Sequence, residues 1–373
     1  MTAGNHGIPL VDLQAAHREV AEEISSGFGR VLAGGGFIKG ADVGAFEAEF
    51  AAFSGADHCV GVANGTDALE LALRAVGVGA GSEVILPANT FVASAAAVVR
   101  AGARPVFADV DPEHLLLDPV SAAKAMGPQT GAVVPVHLYG QLAPMEALAD
   151  TARQHGVALI EDAAQSHGAT QRGTPAGSLG LAAGVSFYPG KNLGAYGDAG
   201  AVLTNSADIA RKIRLLGDHG SERKYVHAEL GFNSRLDSLQ AVVLRAKLRR
   251  LAGWNERRRD AAARYHELLA DMDDVVLPQT APGNVHVWHL YVVQVPRRDH
   301  VLEVLQELGV QAAIHYPTPV HLQPAFRDAG YGPGDFPVAE AAAGRILSLP
   351  LYPHITIDQQ RAVADDLRRA LAS

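Results

Sequence analysis

The feature that most limits what this chain can fold into is the alternation, from about residue 58 to residue 204, of short β-branched runs with helix-patterned stretches. That rhythm is the signature of βα units in a mostly parallel sheet. Strands are expected over 59–62, 84–86, 105–108, 132–136, 158–160, 184–187 and 201–204, with helices between them. One helix is clear in the sequence. Over 67–76, Leu69, Leu73 and Val76 fall on one face, and Gly65-Thr66 comes immediately before.

Beyond the sheet, residues 234–265 carry Leu239, Val242, Val243, Leu244, Leu248 and Leu251 in a stretch rich in Arg and Ala, which predicts a long helix leading out of the sheet unit. Apolar runs at 274–277 and 288–293, a helical stretch at 301–308 and a last helix over 357–371 suggest a smaller α+β unit. The expected division is a large domain over 1–250, with the N-terminal segment, and a small domain over 251–373. With 48% apolar residues in 373, the chain can bury a core of that size.

Charge and cysteine narrow the class further. A formal net charge of -9 with both signs mixed leaves no basic patch for nucleic acid or an anionic membrane, and the run Arg257-Arg258-Arg259 reads as a solvated helix face. Residues 1–8 have no charged segment followed by an apolar core, and no apolar stretch is long enough to span a bilayer, so neither secretion nor insertion is expected. The lone Cys59 has no intrachain partner and sits in an apolar run, as a small buried thiol in a reducing cytoplasm would. Gly34-Gly35-Gly36 marks a turn; no strand precedes it, which argues against a phosphate loop.

In a parallel α/β sheet, ligands gather at the carboxyl edge, so polar residues that follow strands take priority. Three groups qualify. Asn64-Gly65-Thr66-Asp67 lies between a strand and a helix, where free amides and the helix dipole favour a phosphate; an ordinary capped turn explains it as well. Glu161-Asp162-Ala163-Ala164-Gln165-Ser166-His167 follows an apolar strand. A carboxylate there is costly unless it meets a cation such as a protonated pyridine nitrogen, and a cap or buried salt bridge is the plainer alternative for Asp162. Third, Lys191 stands in a glycine-rich stretch between two apolar strands with no carboxylate close by in sequence. A desolvated lysine has the lowered pKa that a Schiff-base lysine needs, although a snorkelling surface lysine fits the segment taken alone.

The ordered set NGTDAL, PANTF, VHLYGQ, EDAAQSHGA, SFYPGKNLGAYGDAG, GFNSRLDSLQAVVLR, VWHLY and HYPTPVHLQPA covers nearly the whole chain and resembles the DegT/DnrJ/EryC1/StrS family of sugar aminotransferases. The resemblance implies an α/β fold of the fold-type I aminotransferase kind, with a mostly parallel mixed sheet in the large domain, and a homodimer with shared active sites. It implies pyridoxal 5'-phosphate as cofactor, bound to Lys191 as a Schiff base. Asp162 would then partner the pyridine nitrogen, Gln165 the phenolic oxygen, and Phe91 the ring face. The phosphate would be held by Gly65, Thr66, Ser186 and, from the other subunit, Asn233. Tyr188, Lys224, Tyr225, His315, Tyr316 and His321 are the expected substrate contacts, with Lys224 offsetting a diphosphate. His315 and His321, six apart across two prolines, make a poor metal pair, and no metal is expected.

The implied reaction passes an amino group from L-glutamate to a dTDP-linked ketosugar in deoxyaminosugar biosynthesis. A lysine rather than a histidine at position 191 disfavours the dehydrating relatives. EDAAQSHGA, SFYPGKNLG, NSRLD and HLYGQ are similar to the branch acting on 3-keto sugars; the 4-keto branch more often has histidine after EDAA and NYR in place of NSR. The alternatives are therefore a dTDP-4-keto-6-deoxyhexose aminotransferase and, from another class, a non-catalytic PLP-binding regulator or structural homologue. The absence of a DNA-binding extension speaks against the regulator.

Overall fold

In the computed structural model, which describes residues 7–373, seven strands pair into one sheet. They are β1 (His58–Val62), β2 (Glu83–Pro87), β3 (Arg104–Ala108), β4 (Thr130–Val133), β5 (Ala158–Asp162), β6 (Ala182–Ser186) and β7 (Gly200–Thr204). Their order across the sheet is β1-β7-β6-β5-β4-β2-β3. Neighbours from β3 through to β6 run parallel, and β7 alone is antiparallel to both strands beside it. The sheet is thus mixed and mostly parallel. The stretch expected as a strand to residue 136 is paired only to Val133, with Val136 adding a single bridge to Asp162.

Almost every residue of β2, β6 and β7 is buried, as strands covered on both faces must be. The helix Gly65–Ala75 supplies one cover and begins two residues earlier than the apolar pattern indicates. Asn64 caps it, its side-chain oxygen accepting from Asp67 N at 2.8 Å, so Gly65 and Thr66 form the first turn instead of preceding it. Gly200 lets β7 approach this turn: a Cβ there would stand 2.4 Å from the Asn64 carbonyl carbon, which is backbone and cannot step aside.

The long helix is observed at Ser238–Leu268. Its first half packs Ala241, Leu244, Leu248 and Leu251 against the sheet side, and its second half packs Ala261, Ala262 and Tyr265 into another apolar cluster. That cluster also holds Tyr291, Val293, Leu347, Leu349, Val363 and Leu367, contributed by the antiparallel pair Tyr291–Gln294 and Ile346–Leu349 and the helix Ile357–Ala372. Ile8 joins it and bridges Val310, so the N-terminal segment reaches the C-terminal elements. The opening residues up to His6, part of the 1–8 stretch read above, lie outside the described residues. Only Val276 of the run 274–277 pairs, and the strand expected from 288 starts at Tyr291.

Arg258 corrects the reading of its basic run as a solvated face. It is buried, donates to the carbonyls of Trp288 (3.2 Å) and Leu351 (3.0 Å), and is lowered to about 10 by burial. No helix among the described residues is long and apolar enough to cross a membrane, and Cys59 is buried.

The end of β5 places two acids side by side, and strand alternation sends them to opposite faces. Glu161 is fully buried. It accepts from His137 Nε2 at 2.8 Å and from the amides of Gly177, Leu179 and Gly180 at 2.7–2.8 Å. His137 Nδ1 accepts from Ala143 N at 3.2 Å, so Nε2 carries the proton that Glu161 receives as a hydrogen bond. Burial pushes the Glu161 pKa up, but His137 and the amides of Gly180 and Gly177 outweigh it and the net shift is downward. A folded-state value below the unfolded one stabilises above the ordinary carboxylate range and is lost as pH falls through the lowered value. Urea unfolding should therefore show Glu161→Gln less stable by about 3 kcal/mol or more at neutral pH, with the gap to the parent protein narrowing as pH drops below the carboxylate range.

Candidate active site

The carboxyl ends of the parallel strands converge on a cavity of about 790 Å³. Asn64 and Gly65 come from the turn after β1, Thr90 and Phe91 from the turn after β2. Asp162 ends β5, Ser186 ends β6, and Lys191 lies on the loop between β6 and β7. Ten of the residues singled out in the sequence line this one space: Gly65, Thr66, Phe91, Asp162, Gln165, Ser186, Tyr188, Lys191, His315 and Tyr316.

One pole of the cavity is built of backbone. Gly65 sits so close to Ser186 that a Cβ on it would meet the serine Cβ at 2.6 Å, which explains glycine there. Among the described residues the amides of Gly65 and Thr66 have no acceptor, and with the Ser186 hydroxyl they form a cradle at a helix N-terminus suited to an anion.

The cavity wall also carries Asp162. Ser94 Oγ donates to its Oδ2 at 2.7 Å and Ala164 N to its Oδ1 at 3.2 Å. Burial raises its pKa, opposed by Ser94, Ala164 and the positive charge of Lys191. Lys191 shows the converse. Burial lowers it to about 8, with Asp162 pulling the other way. No ion pair joins the two among the described residues, so the amine is free to react.

Asn192 anchors the turn that bears this lysine. Its side-chain nitrogen donates to Val287 O and to Asn255 Oδ1, both at 2.9 Å, and its oxygen lies 3.2 Å from His289 Nδ1. Asn255 in turn donates to His167 O at 2.8 Å, and His167 Nε2 lies 2.9 Å from Ser186 O. Lysine turn, cradle and long helix are thereby linked through buried polar groups. A Cβ at Gly194 would lie 2.3 Å from Pro189 O, so the turn closes tightly on itself.

Four aromatic and amide side chains, those of Phe91, Gln165, His315 and Tyr316, also line the cavity. Phe91 leaves 50% of its surface open, its ring 5.2 Å from that of Tyr316. Gln165 accepts from Tyr139 N at 2.7 Å and donates to the Tyr316 hydroxyl at 3.3 Å. His315 bonds Ser348 Oγ through Nδ1 at 2.8 Å and is lowered to about 4, mainly by burial and then by Lys191, so it is a neutral ring.

Four expected residues lie elsewhere in the chain. His321 is 1% exposed, sits 3.2 Å from Glu340 Oε1 and packs edge-on against Phe336 at 4.7 Å; it is a core histidine and not a substrate contact. Lys224 and Tyr225 stand on the hairpin of Ser221–Arg223 and Val226–His227, the lysine 5.2 Å from the exposed tyrosine ring, and do not reach this chain's cavity. Asn233 is exposed and bridges Asp218 by its backbone, also away from the cavity. Asn64, Asn192 and His289, which do shape the site, lie within the quoted motifs but were given no role of their own, and Ser94 lies three residues beyond PANTF with no sequence signal. Among the described residues no cluster suited to a metal occurs.

Comparison with known proteins shows a family and a fold. The profile of the DegT/DnrJ/EryC1/StrS aminotransferase family matches residues 18–368. The erythromycin biosynthesis sensory transduction protein EryC1 of Saccharopolyspora erythraea is 51% identical, over 94% of this chain and 95% of that protein. The dTDP-3-amino-3,4,6-trideoxy-alpha-D-glucose transaminase of Streptomyces venezuelae is 46% identical, over 97% and 95%. The crystal structure of S. venezuelae DesV in complex with a ketimine intermediate superposes with a TM-score of 0.95 at 46% identity, covering 97% of this chain and 98% of that one.

The lowered pKa of Lys191 has a direct readout. In ligand-free protein, reductive methylation of Lys191 followed by peptide mass spectrometry should rise with pH through a midpoint of about 8. Asp162→Asn removes the charge that favours the ammonium, so its midpoint should lie lower still.

Proposed function

The chain belongs to the DegT/DnrJ/EryC1/StrS aminotransferase family and uses pyridoxal 5'-phosphate, and from that premise we propose that it transfers the amino group of L-glutamate to C3 of a dTDP-3-keto-6-deoxyhexose. The observation that carries the reading is a titratable amine and a buried carboxylate on one cavity that also holds a cradle of helix N-terminal amides. Kinship to a transaminase named for a 3-amino dTDP-sugar supports the choice of acceptor.

When bound, the cofactor supplies an aldehyde that takes up the amino group and a ring that draws in an electron pair. The protein does the rest. Gly65 and Thr66 amides and the Ser186 hydroxyl would receive the phosphate, and Phe91 would cover one ring face. An anionic Asp162 would hold the ring nitrogen in its protonated form, and Gln165 would face the phenolic oxygen. Lys191, once released, would take the α-proton of glutamate on Nζ; with a pKa of about 8 it can accept and return a proton near neutral pH. Neutral His315 and the Tyr316 and Tyr188 hydroxyls would offer hydrogen bonds to substrate.

Asn233, Lys224 and Tyr225 belong to this scheme through a second copy. In the proposed homodimer, the exposed hairpin and Asn233 of each chain would complete the partner's site, Asn233 at the phosphate and Lys224 toward the diphosphate.

Two experiments test these points. Incubation with L-glutamate and separate 3-keto and 4-keto dTDP-6-deoxyhexoses, followed by NMR of the product, should place the new amine on C3, and Lys191→Ala should give no product. Conversion of the 4-keto sugar alone would move the reaction to C4. For the shared site, inactive Lys191→Ala and impaired Asn233→Asp subunits should regain about a quarter of parental activity when mixed and reassociated, because half of the dimers then carry one intact site. No recovery would place Asn233 outside the partner's site.

A further inference from the structure

We propose that Ser94 and Thr90 form a two-hydroxyl relay that positions Asp162, holding its carboxylate in one orientation and keeping it anionic toward the cofactor's ring nitrogen. This rests on the role given to Asp162 above.

Both side chains are 2% exposed, and both come from the segment after β2, which reaches the end of the strand that carries Asp162. Ser94 Oγ lies 2.7 Å from Asp162 Oδ2, and Thr90 Oγ1 lies 2.8 Å from Ser94 Oγ. The direction of the chain follows from charge. An ionised carboxylate can only accept, so Ser94 gives it its single proton. The Ser94 oxygen then accepts, and Thr90 must be the donor. Two hydroxyls aligned in this way polarise one another, and a bond to a charged acceptor is the stronger kind.

Ser94 matters because Asp162 has few other donors. The amide of Ala164 reaches Oδ1 at 3.2 Å, a longer contact, and the charged or titratable neighbours are Lys191, His137 and Tyr316. Ser94 also sits in the first turn of the helix Val92–Arg100, where serine commonly bonds local backbone; here its hydroxyl turns to Asp162 instead. Burial favours a protonated Asp162, and a protonated Asp162 could not keep the ring nitrogen charged. The relay opposes that tendency at the oxygen nearest the β2 turn.

The test uses the cofactor-loaded enzyme with Ser94→Ala, Thr90→Val, Thr90→Ser and, as reference, Asp162→Asn. Ser94→Ala should lower kcat about tenfold or more, with KM for L-glutamate little changed. It should also raise the pH midpoint of the cofactor's visible absorbance, because a more basic Asp162 draws the proton off the ring and makes the imine nitrogen easier to protonate. Thr90→Val, which keeps the shape and loses the hydroxyl, should do the same to a smaller extent, and Thr90→Ser should restore both readouts. Should Ser94→Ala fail to fold, the Thr90→Val and Thr90→Ser pair decides. Unchanged kcat and absorbance midpoint in Ser94→Ala and Thr90→Val, beside loss of both in Asp162→Asn, would overturn the relay and leave the Asp162 role standing. If Asp162→Asn itself keeps both, the underlying reading fails and the relay with it.

Discussion

An amine and a carboxylate share one cavity, both with much of their hydration lost, and the rest of the site is arranged around that conflict. Burial drives each toward its neutral form, while each favours charge on the other, so Lys191 is lowered and Asp162 raised. Were they to close into an ion pair, the amine would be locked as an ammonium. They are kept apart by separate anchors: Asp162 by the end of β5 and the Ser94 hydroxyl, Lys191 by a turn tied through Asn192 to Val287 and Asn255. A reactive lysine here is a consequence of where its neighbours are fixed.

The same strand end separates structure from chemistry. Glu161 points away from the cavity, its oxygens taken up by His137 and three amides, and serves packing. One residue on, the pleat turns Asp162 into the cavity with an unfinished set of donors. Close backbone approaches then bring the remaining parts within reach. Gly200 lets the antiparallel β7 press on the turn that starts the helix Gly65–Ala75, and Gly65 lets that turn press on Ser186. Larger residues at either place would open the cradle.

Much of this was legible in the sequence. The strand positions follow from β-branched runs, and Asp162, Ser186 and Lys191 stand at or shortly beyond strand ends, where the carboxyl edge of a parallel sheet collects function. The antiparallel turn of β7 was not legible, because strand direction depends on the crossover and not on side-chain pattern. His321 was misread for a related reason: six residues beyond His315 in sequence, it turns into the core to meet Glu340 and Phe336. Arg258 lies in a basic run but is held by two backbone carbonyls that only the fold brings near. Ser94 is an ordinary helix serine until β5 is placed opposite it. Lys224, Tyr225 and Asn233 were expected at the site yet lie outside their own chain's cavity, which sequence order alone has no means to reveal.

The charge of the cavity bears on how a sugar nucleotide would enter it. Besides Lys191, the one Lys or Arg among the described residues on its walls is Arg100, and that guanidinium is already bonded to Asp67 at 2.9 Å and Glu70 at 2.8 Å. A cofactor phosphate would therefore be held by amide dipoles and a hydroxyl rather than by a cation, leaving much of its negative potential in place. That potential favours a proton on Lys191 and repels a second phosphate group. On the proposed reading, the diphosphate of the acceptor belongs at the mouth, near cations brought by another copy, and the sugar ring alone passes inward to meet the amine.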